Sequence, residues 1–277
     1  MQGSWITMVA LAMAIATASL AARPVLQTTE LGRGSTVVLI HTLGGSRAGW
    51  MPTARKLLAK HHVVLVELPG HGESPLPDPF SLDAGAAAIG EVLAAQKGES
   101  TVVVGQGMGA LMGLMAVAAH PERARGVIGI DMSLESPFAI PPPEREMFVD
   151  MMDQTYDYFV RRMFTKLGRD SAQGVAIHAQ AAQVPHATMK AYIREMVNLD
   201  RSKLPKTFGA PVLFVGTERV WPANYDSAAF AIRMGYPGDV PFRVRRMSDC
   251  GYLVASEQPD TLAAIIDGFT RRVLARK

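Results

Sequence analysis

The residues of this chain best spaced for chemistry are Gly105-Gln106-Gly107-Met108-Gly109. A β-branched run, Thr101-Val102-Val103-Val104, leads into the alternating glycines, and an Ala/Leu/Met-rich run follows through Ala119. This order predicts a strand, a sharp turn and a helix, with glycine letting the backbone pack tightly where turn meets helix. The Met108 N–H then falls at a helix N-terminus, where a carbonyl or anionic oxygen is favoured. Gly107, at the apex of the turn, offers no nucleophilic atom. What the stretch retains is an anion-facing backbone.

Short apolar runs alternating with helical stretches must position that turn, and they predict an α/β protein with a mostly parallel central sheet flanked by helices. Residues 36–40 are apolar without alternation, as suits a strand buried on both faces, and end at His41. The loop Thr42-Leu43-Gly44-Gly45-Ser46 follows, then a helix over about 50–60. A strand over 62–67 runs into the turn-rich Leu68-Pro69-Gly70-His71-Gly72-Glu73-Ser74. Residues 81–96 read as a helix with Ser81 as N-cap and Asp83 near its positive end. Further strands are expected over 126–131, 211–216 and 242–247, and a last helix over 260–274. Between 136 and 205 the strand rhythm stops. After Pro141-Pro142-Pro143 come helical stretches over 144–166 and 187–198, joined by a Gly/Asp/Gln-containing linker. The expected organisation is a core of residues 23–135 and 206–277 with a helical cap inserted over 136–205.

Hydrophobic residues make up 48% of the 277 and charged residues 19%, which excludes a disordered or fibrous chain. The net charge of +3 is spread without aromatic interleaving, so no nucleic-acid partner is expected. Residues 5–20 are apolar or small, and Ser19-Leu20-Ala21 gives a small-x-small site before Arg23-Pro24, although no Lys or Arg precedes the run. Residues 1–22 therefore read as a signal peptide or N-terminal anchor of an exported, periplasmic or secreted protein, touching membrane only if that segment stays uncleaved. The run falls short of the roughly 20 residues a spanning helix needs. The one cysteine, Cys250, excludes an intramolecular disulfide and is expected to be buried.

Together these elements resemble the α/β-hydrolase superfamily, its small-esterase and C–C hydrolase branch, over roughly residues 37–273. His41 with Gly44-Gly45 is similar to the H-G-x-x-G oxyanion loop, with Thr42 where glycine is usual. Glu67-Leu68-Pro69-Gly70-His71-Gly72-Glu73-Ser74 is similar to D-x-P-G-H-G-x-S. The glycine turn sits where that family has its nucleophile elbow, G-x-S-x-G. Cys250-Gly251-Tyr252 with Glu257-Gln258-Pro259 looks like the S-G-H…E-x-P that carries the histidine. The resemblance implies oxyanion donors at the N–H groups of Leu43 and Met108, with Thr42 and Gly107 beside them, and no cofactor or metal.

The same correspondence places Gly107 at the nucleophile, Tyr252 at the histidine and Arg219 at the aspartate, leaving Glu218 as the nearby carboxylate. Acyl transfer by this route needs a nucleophile, a base to take its proton and a group to orient the base. A tyrosine, with an ordinary pKa near 10, is a poor base at neutral pH. The expectation is a non-hydrolytic, pocket-containing binder of a small apolar carbonyl or carboxylate ligand. The alternative is an ester or C–C bond hydrolase, or a lyase, with a rewired site in which Tyr252 donates a proton. Glycine at the elbow also relieves backbone strain of about 1–3 kcal/mol.

The remaining candidates read as structural. His41 and His71 are expected to be hydrogen-bonded loop residues, His178 and His186 surface or core residues, and Asp131 a loop-capping carboxylate. Ser46 and Ser133 lie at the right edge of the sheet as substitute nucleophiles, without a readable histidine partner. Phe148, Met151, Met152, Tyr156, Phe159 and Met163 form a stripe expected to pack cap against body, with part lining the pocket.

Overall fold

The computed structural model describes residues 26–204, 208–236 and 243–275, so the signal segment read over 1–22 lies outside the described residues. Among the described residues no helix is long and apolar enough to cross a membrane. The apolar runs form β1 (Thr28–Gly32), β2 (Ser35–Ile40), β3 (His61–Val66), β4 (Thr101–Gln106), β5 (Val127–Ile130), β6 (Val212–Thr217) and β7 (Arg243–Met247). They make one sheet in the order β1-β3-β2-β4-β5-β6-β7, with β1 antiparallel to β3 and every other neighbouring pair parallel.

Burial of both sheet faces explains why the strands lack polar alternation. Val38 and Ile40 of β2 enter one apolar layer, while Val37 and Leu39 enter the other. The same period of two sends Val103 one way and Val102 and Val104 the other. Helices α1 (Met51–Leu57) and α10 (Pro259–Leu274) cover one face, and α2 (Leu82–Ala94) and α3 (Gly107–Ala119) cover the opposite one. Ser81 caps α2 by accepting the Ala84 N–H at 3.1 Å. Helix α3 is apolar all round, and Met108 through Val117 are buried.

Between β5 and β6 lie α4 (Arg145–Gln154), α5 (Tyr156–Thr165), α6 (Ser171–Ala181) and α7 (His186–Val197). The single helical stretch expected over 144–166 is broken at Thr155, whose backbone leaves the helical region (φ −115°, ψ 28°). The expected linker is instead α6, capped by Asp170, which accepts the Gln173 N–H at 2.8 Å. Its Gly174 marks close packing: a Cβ there would lie 2.3 Å from the Thr165 carbonyl oxygen. Beyond β6 come α8 (Ser227–Arg233) and the short α9 (Val254–Glu257). Strand β1 and helix α8 were not expected from sequence. Thr28-Thr29-Glu30-Leu31-Gly32 has no apolar run, and only its ladder with β3 makes it a strand.

Candidate functional site

The glycines of the β4–α3 turn are required by contact. A Cβ on Gly105 would lie 2.5 Å from Ala110 Cα, and one on Gly109 would lie 2.0 Å from the His41 carbonyl oxygen. Gly107 between them holds a left-handed backbone, φ +51°. A Cβ at that apex would meet the Thr42 hydroxyl oxygen at 2.5 Å. The Thr42 hydroxyl thus fills the space into which a side chain at 107 would grow.

Tyr252 closes the site from the far side. Its hydroxyl donates to the Leu43 carbonyl at 2.9 Å, and its own carbonyl accepts from Gln106 Nε2 at 2.7 Å. Burial pushes the phenol up to about 12, against the opposing influence of the Thr42 hydroxyl and the Arg219 charge. A group so hard to deprotonate serves as a donor, not a base, at neutral pH. Arg219 stands 5.9 Å from the centroid of the Tyr252 ring. Glu218, expected as the nearby carboxylate, is not in the site: it is exposed and pairs with Arg246 at 3.2 Å. Arg219 is exposed as well, yet of the two neighbours it is the one that lines the cavity beside Tyr252.

Leu43 and Met108 both line the main cavity, and neither N–H has a hydrogen-bond acceptor among the described residues. The loop that carries Leu43 is held by the two histidines. His41 Nδ1 donates to the Thr42 carbonyl at 2.8 Å, and its Nε2 lies 2.8 Å from the Glu67 carboxylate. His71 Nε2 accepts the Gly44 N–H at 3.2 Å, and its Nδ1 donates to the Pro69 carbonyl at 3.1 Å. Burial, with the neighbouring His41, lowers His71 to about 3, so it remains neutral and able to accept. Tyr192 of α7 donates to the same Pro69 carbonyl at 3.0 Å, tying α7 to this loop.

The main cavity encloses about 520 Å³, within the usual range for small-molecule sites. Thr42, Leu43, Gly107 and Met108 line it, together with an apolar wall that includes Phe138, Met163, Phe164, Leu167, Met196 and Leu199, and with the charged side chains of Asp131, Arg219 and Arg233. A second cavity of about 260 Å³ lies next to it, and Thr42, Gln106 and Tyr252 line both. Asp131, at φ +46°, accepts from the Thr217 N–H at 2.8 Å and from the Thr217 hydroxyl at 2.7 Å, so it ties β5 to β6 as a capping carboxylate. Burial raises it to about 6 despite those bonds.

Other candidates lie outside the constellation or are engaged elsewhere. Ser133 reaches the cavity but donates to the Glu135 carbonyl at 2.7 Å, and Ser46 accepts from Gln180 Nε2 at 3.3 Å. His186 is exposed against Tyr156, and His178 is only half-buried; neither lines the cavity. The aromatic stripe divides: Met163 lines the cavity, Met152 is buried, and Met151 is exposed. Cys250 is buried, and burial pushes its thiol up to about 12. Gln106 and Arg233 were missed by sequence reasoning. Gln106 had a signal, its place just before the turn apex; Arg233 had none, because α8 itself was not foreseen.

A parallel sheet with a glycine elbow at the end of β4, amide donors after β2 and helices over the pocket defines the hydrolase-type α/β architecture. The chain belongs to the alpha/beta hydrolase family, whose model matches residues 37–265. It is 35% identical over 91 residues to a pimeloyl-(acyl-carrier protein) methyl ester esterase of Neisseria meningitidis, covering 33% of this chain and 34% of that one. A protein of the same name from Edwardsiella ictaluri is 29% identical over 144 residues, 50% of this chain and 54% of its own. The chain thus spans about a third to a half of the curated relatives it matches. Among solved structures it is similar to a hydrolase from Oleispira antarctica (TM-score 0.72, 16% identity, 88% and 94% of the two chains). It is also similar to the enol-lactonase from Burkholderia xenovorans LB400 (TM-score 0.68, 17% identity, 89% and 96%).

Proposed function

We propose that this α/β-hydrolase-fold protein binds a small, largely apolar carbonyl or carboxylate ligand without hydrolysing it. The observation that carries this reading is the 2.5 Å approach of the Thr42 hydroxyl to the position of a Cβ on Gly107. The site is packed around the absence of a side chain at the elbow, not merely deprived of one. Tyr252, holding its proton and hydrogen-bonded to the Leu43 carbonyl, supplies no base, and Arg219 takes the place of an orienting carboxylate. The free amides of Leu43 and Met108 support recognition of a carbonyl or carboxylate oxygen. The names of the relatives favour ester chemistry in the family, and the fold alone carries that inference to this chain.

The test is turnover of short-chain p-nitrophenyl esters by the protein and by a variant carrying Thr42→Gly, Gly107→Ser, Arg219→Asp and Tyr252→His together. The protein is expected to match the uncatalysed rate, while the variant gains measurable turnover. Turnover by the unaltered protein near an ordinary enzymatic rate of about 1 s⁻¹ or more would sink the reading.

A further inference from the structure

We propose that Arg219 and Arg233 form a carboxylate-binding subsite in the main cavity, so that the ligand is an organic acid with an apolar body. This deepens the binding reading and rests on it. Among the described residues three charged side chains line the cavity: Asp131, Arg219 and Arg233. Asp131 already accepts two hydrogen bonds from Thr217, which leaves the pair of guanidiniums to set the sign of the site. Two like charges in one cavity repel. Burial and the nearby Arg233 both pull the Arg219 guanidinium below its ordinary value, with Asp131 and Tyr252 opposing. A bound anion relieves that repulsion directly.

Each of the two arginines lies against an aromatic ring. Arg219 stands 5.9 Å from the Tyr252 ring centroid, and Arg233 lies 5.6 Å from that of Tyr225, whose hydroxyl it reaches at 3.4 Å. Arg219 has no hydrogen-bonded acceptor among the described residues. The unpaired N–H groups of Arg219 match a carboxylate in two-pronged geometry. The same cavity carries an apolar wall, Phe138 and Met163 included, which fits a hydrocarbon or aryl body. A neutral ligand would leave the Arg219 guanidinium without a charged partner. The site thus discriminates by charge as well as by shape.

The experiment is calorimetric binding of 4-phenylbutyrate, 4-phenylbutan-1-ol and methyl 4-phenylbutyrate at pH 8 and low salt. The carboxylate is expected to bind about tenfold tighter than the alcohol or more, as a charge-assisted hydrogen-bonded pair allows. Arg219→Gln with Arg233→Gln brings that ratio to about one, and Arg219→Lys keeps part of it. Phe138→Ala weakens acid and alcohol by the same factor and preserves the ratio. Equal affinity for acid and alcohol, no binding of the acid, or an undiminished ratio in the double glutamine variant each overturns the subsite. The retained charge of Arg219→Lys guards against a misfolded glutamine variant being read as support. The methyl ester separates the two readings. Methanol release from it removes the non-hydrolytic reading on which the subsite rests, whereas a lost acid preference with the ester intact removes the subsite alone.

Discussion

Two parts of the main cavity's lining are built in different ways. One is backbone: Gly105 and Gly109 of the elbow are fixed by contacts with Ala110 and the His41 carbonyl, and Leu43 and Met108 line the cavity beside them. The other is made of side chains, Arg219, Arg233 and Tyr252, carried on the bend after β6, on helix α8 and on the segment before α9. Backbone geometry is over-determined by the packing of β2, β4 and α3, so it persists whatever the chemistry. Side chains at loop ends change without disturbing the sheet. The difference teaches that the backbone of an elbow and the side chains around it are separable, the first fixed by packing and the second free to vary.

The comparison is broken most forcefully at Gly109. Gly109→Ala drives a Cβ to 2.0 Å from a backbone oxygen, and a loss of about 3 kcal/mol or more is expected in urea unfolding. A loss under about 1 kcal/mol would mean that the elbow is not held by its contacts. Gly107→Ser is next, with an expected cost of about 1–3 kcal/mol from a positive φ and the Thr42 contact. Adding Thr42→Gly should return part of it. A double-mutant cycle that shows simple additivity would sever the proposed link between the two positions.

Asp131 provides a titration among the cavity's side chains. The folded protein holds this proton more tightly than the unfolded chain, about 6 against the ordinary 3.8, with burial as the cause. The stability from that proton is complete below about 3.8 and lost as pH rises through about 6. Asp131→Asn should therefore gain on the parent protein between pH 4 and 7, by on the order of 1–3 kcal/mol, in unfolding curves measured across that range. A flat difference would show that Asp131 is not buried in its charged state. Tyr252→Phe removes one hydrogen bond to the Leu43 carbonyl and is expected to cost about 1 kcal/mol, measured by thermal unfolding. The smallest effect belongs to Glu218→Gln, an exposed partner of Arg246, at about 0.5 kcal/mol or less. A larger loss would return Glu218 to the site.

Periodicity made most of the fold legible. Runs such as Val37-Val38-Leu39-Ile40 and Val102-Val103-Val104 can satisfy their side chains only as strands covered on both faces, and the structure places them so. The elements that escaped, β1 and α8, have no such pattern and are held by their neighbours. Gly174 misled because glycine in a sequence signals a linker, whereas here it lets α6 approach α5. At the site, the resemblance pointed to Leu43 and Met108, and both line the cavity. Glu218 pairs with Arg246 instead, a partner 28 residues away that no local pattern announces.

By itself the sequence determined a mostly parallel sheet and an elbow whose apex has no side chain, because these depend on local backbone preferences and short-range spacing. Only the tertiary structure decided that the Thr42 hydroxyl stands where a side chain at 107 would grow, that Tyr252 bonds to the Leu43 loop and that Arg219 and Arg233 line one cavity. Those contacts join residues far apart in the chain, such as Leu43 with Tyr252. Their distances are set by how the layers close on the sheet, which no local pattern encodes.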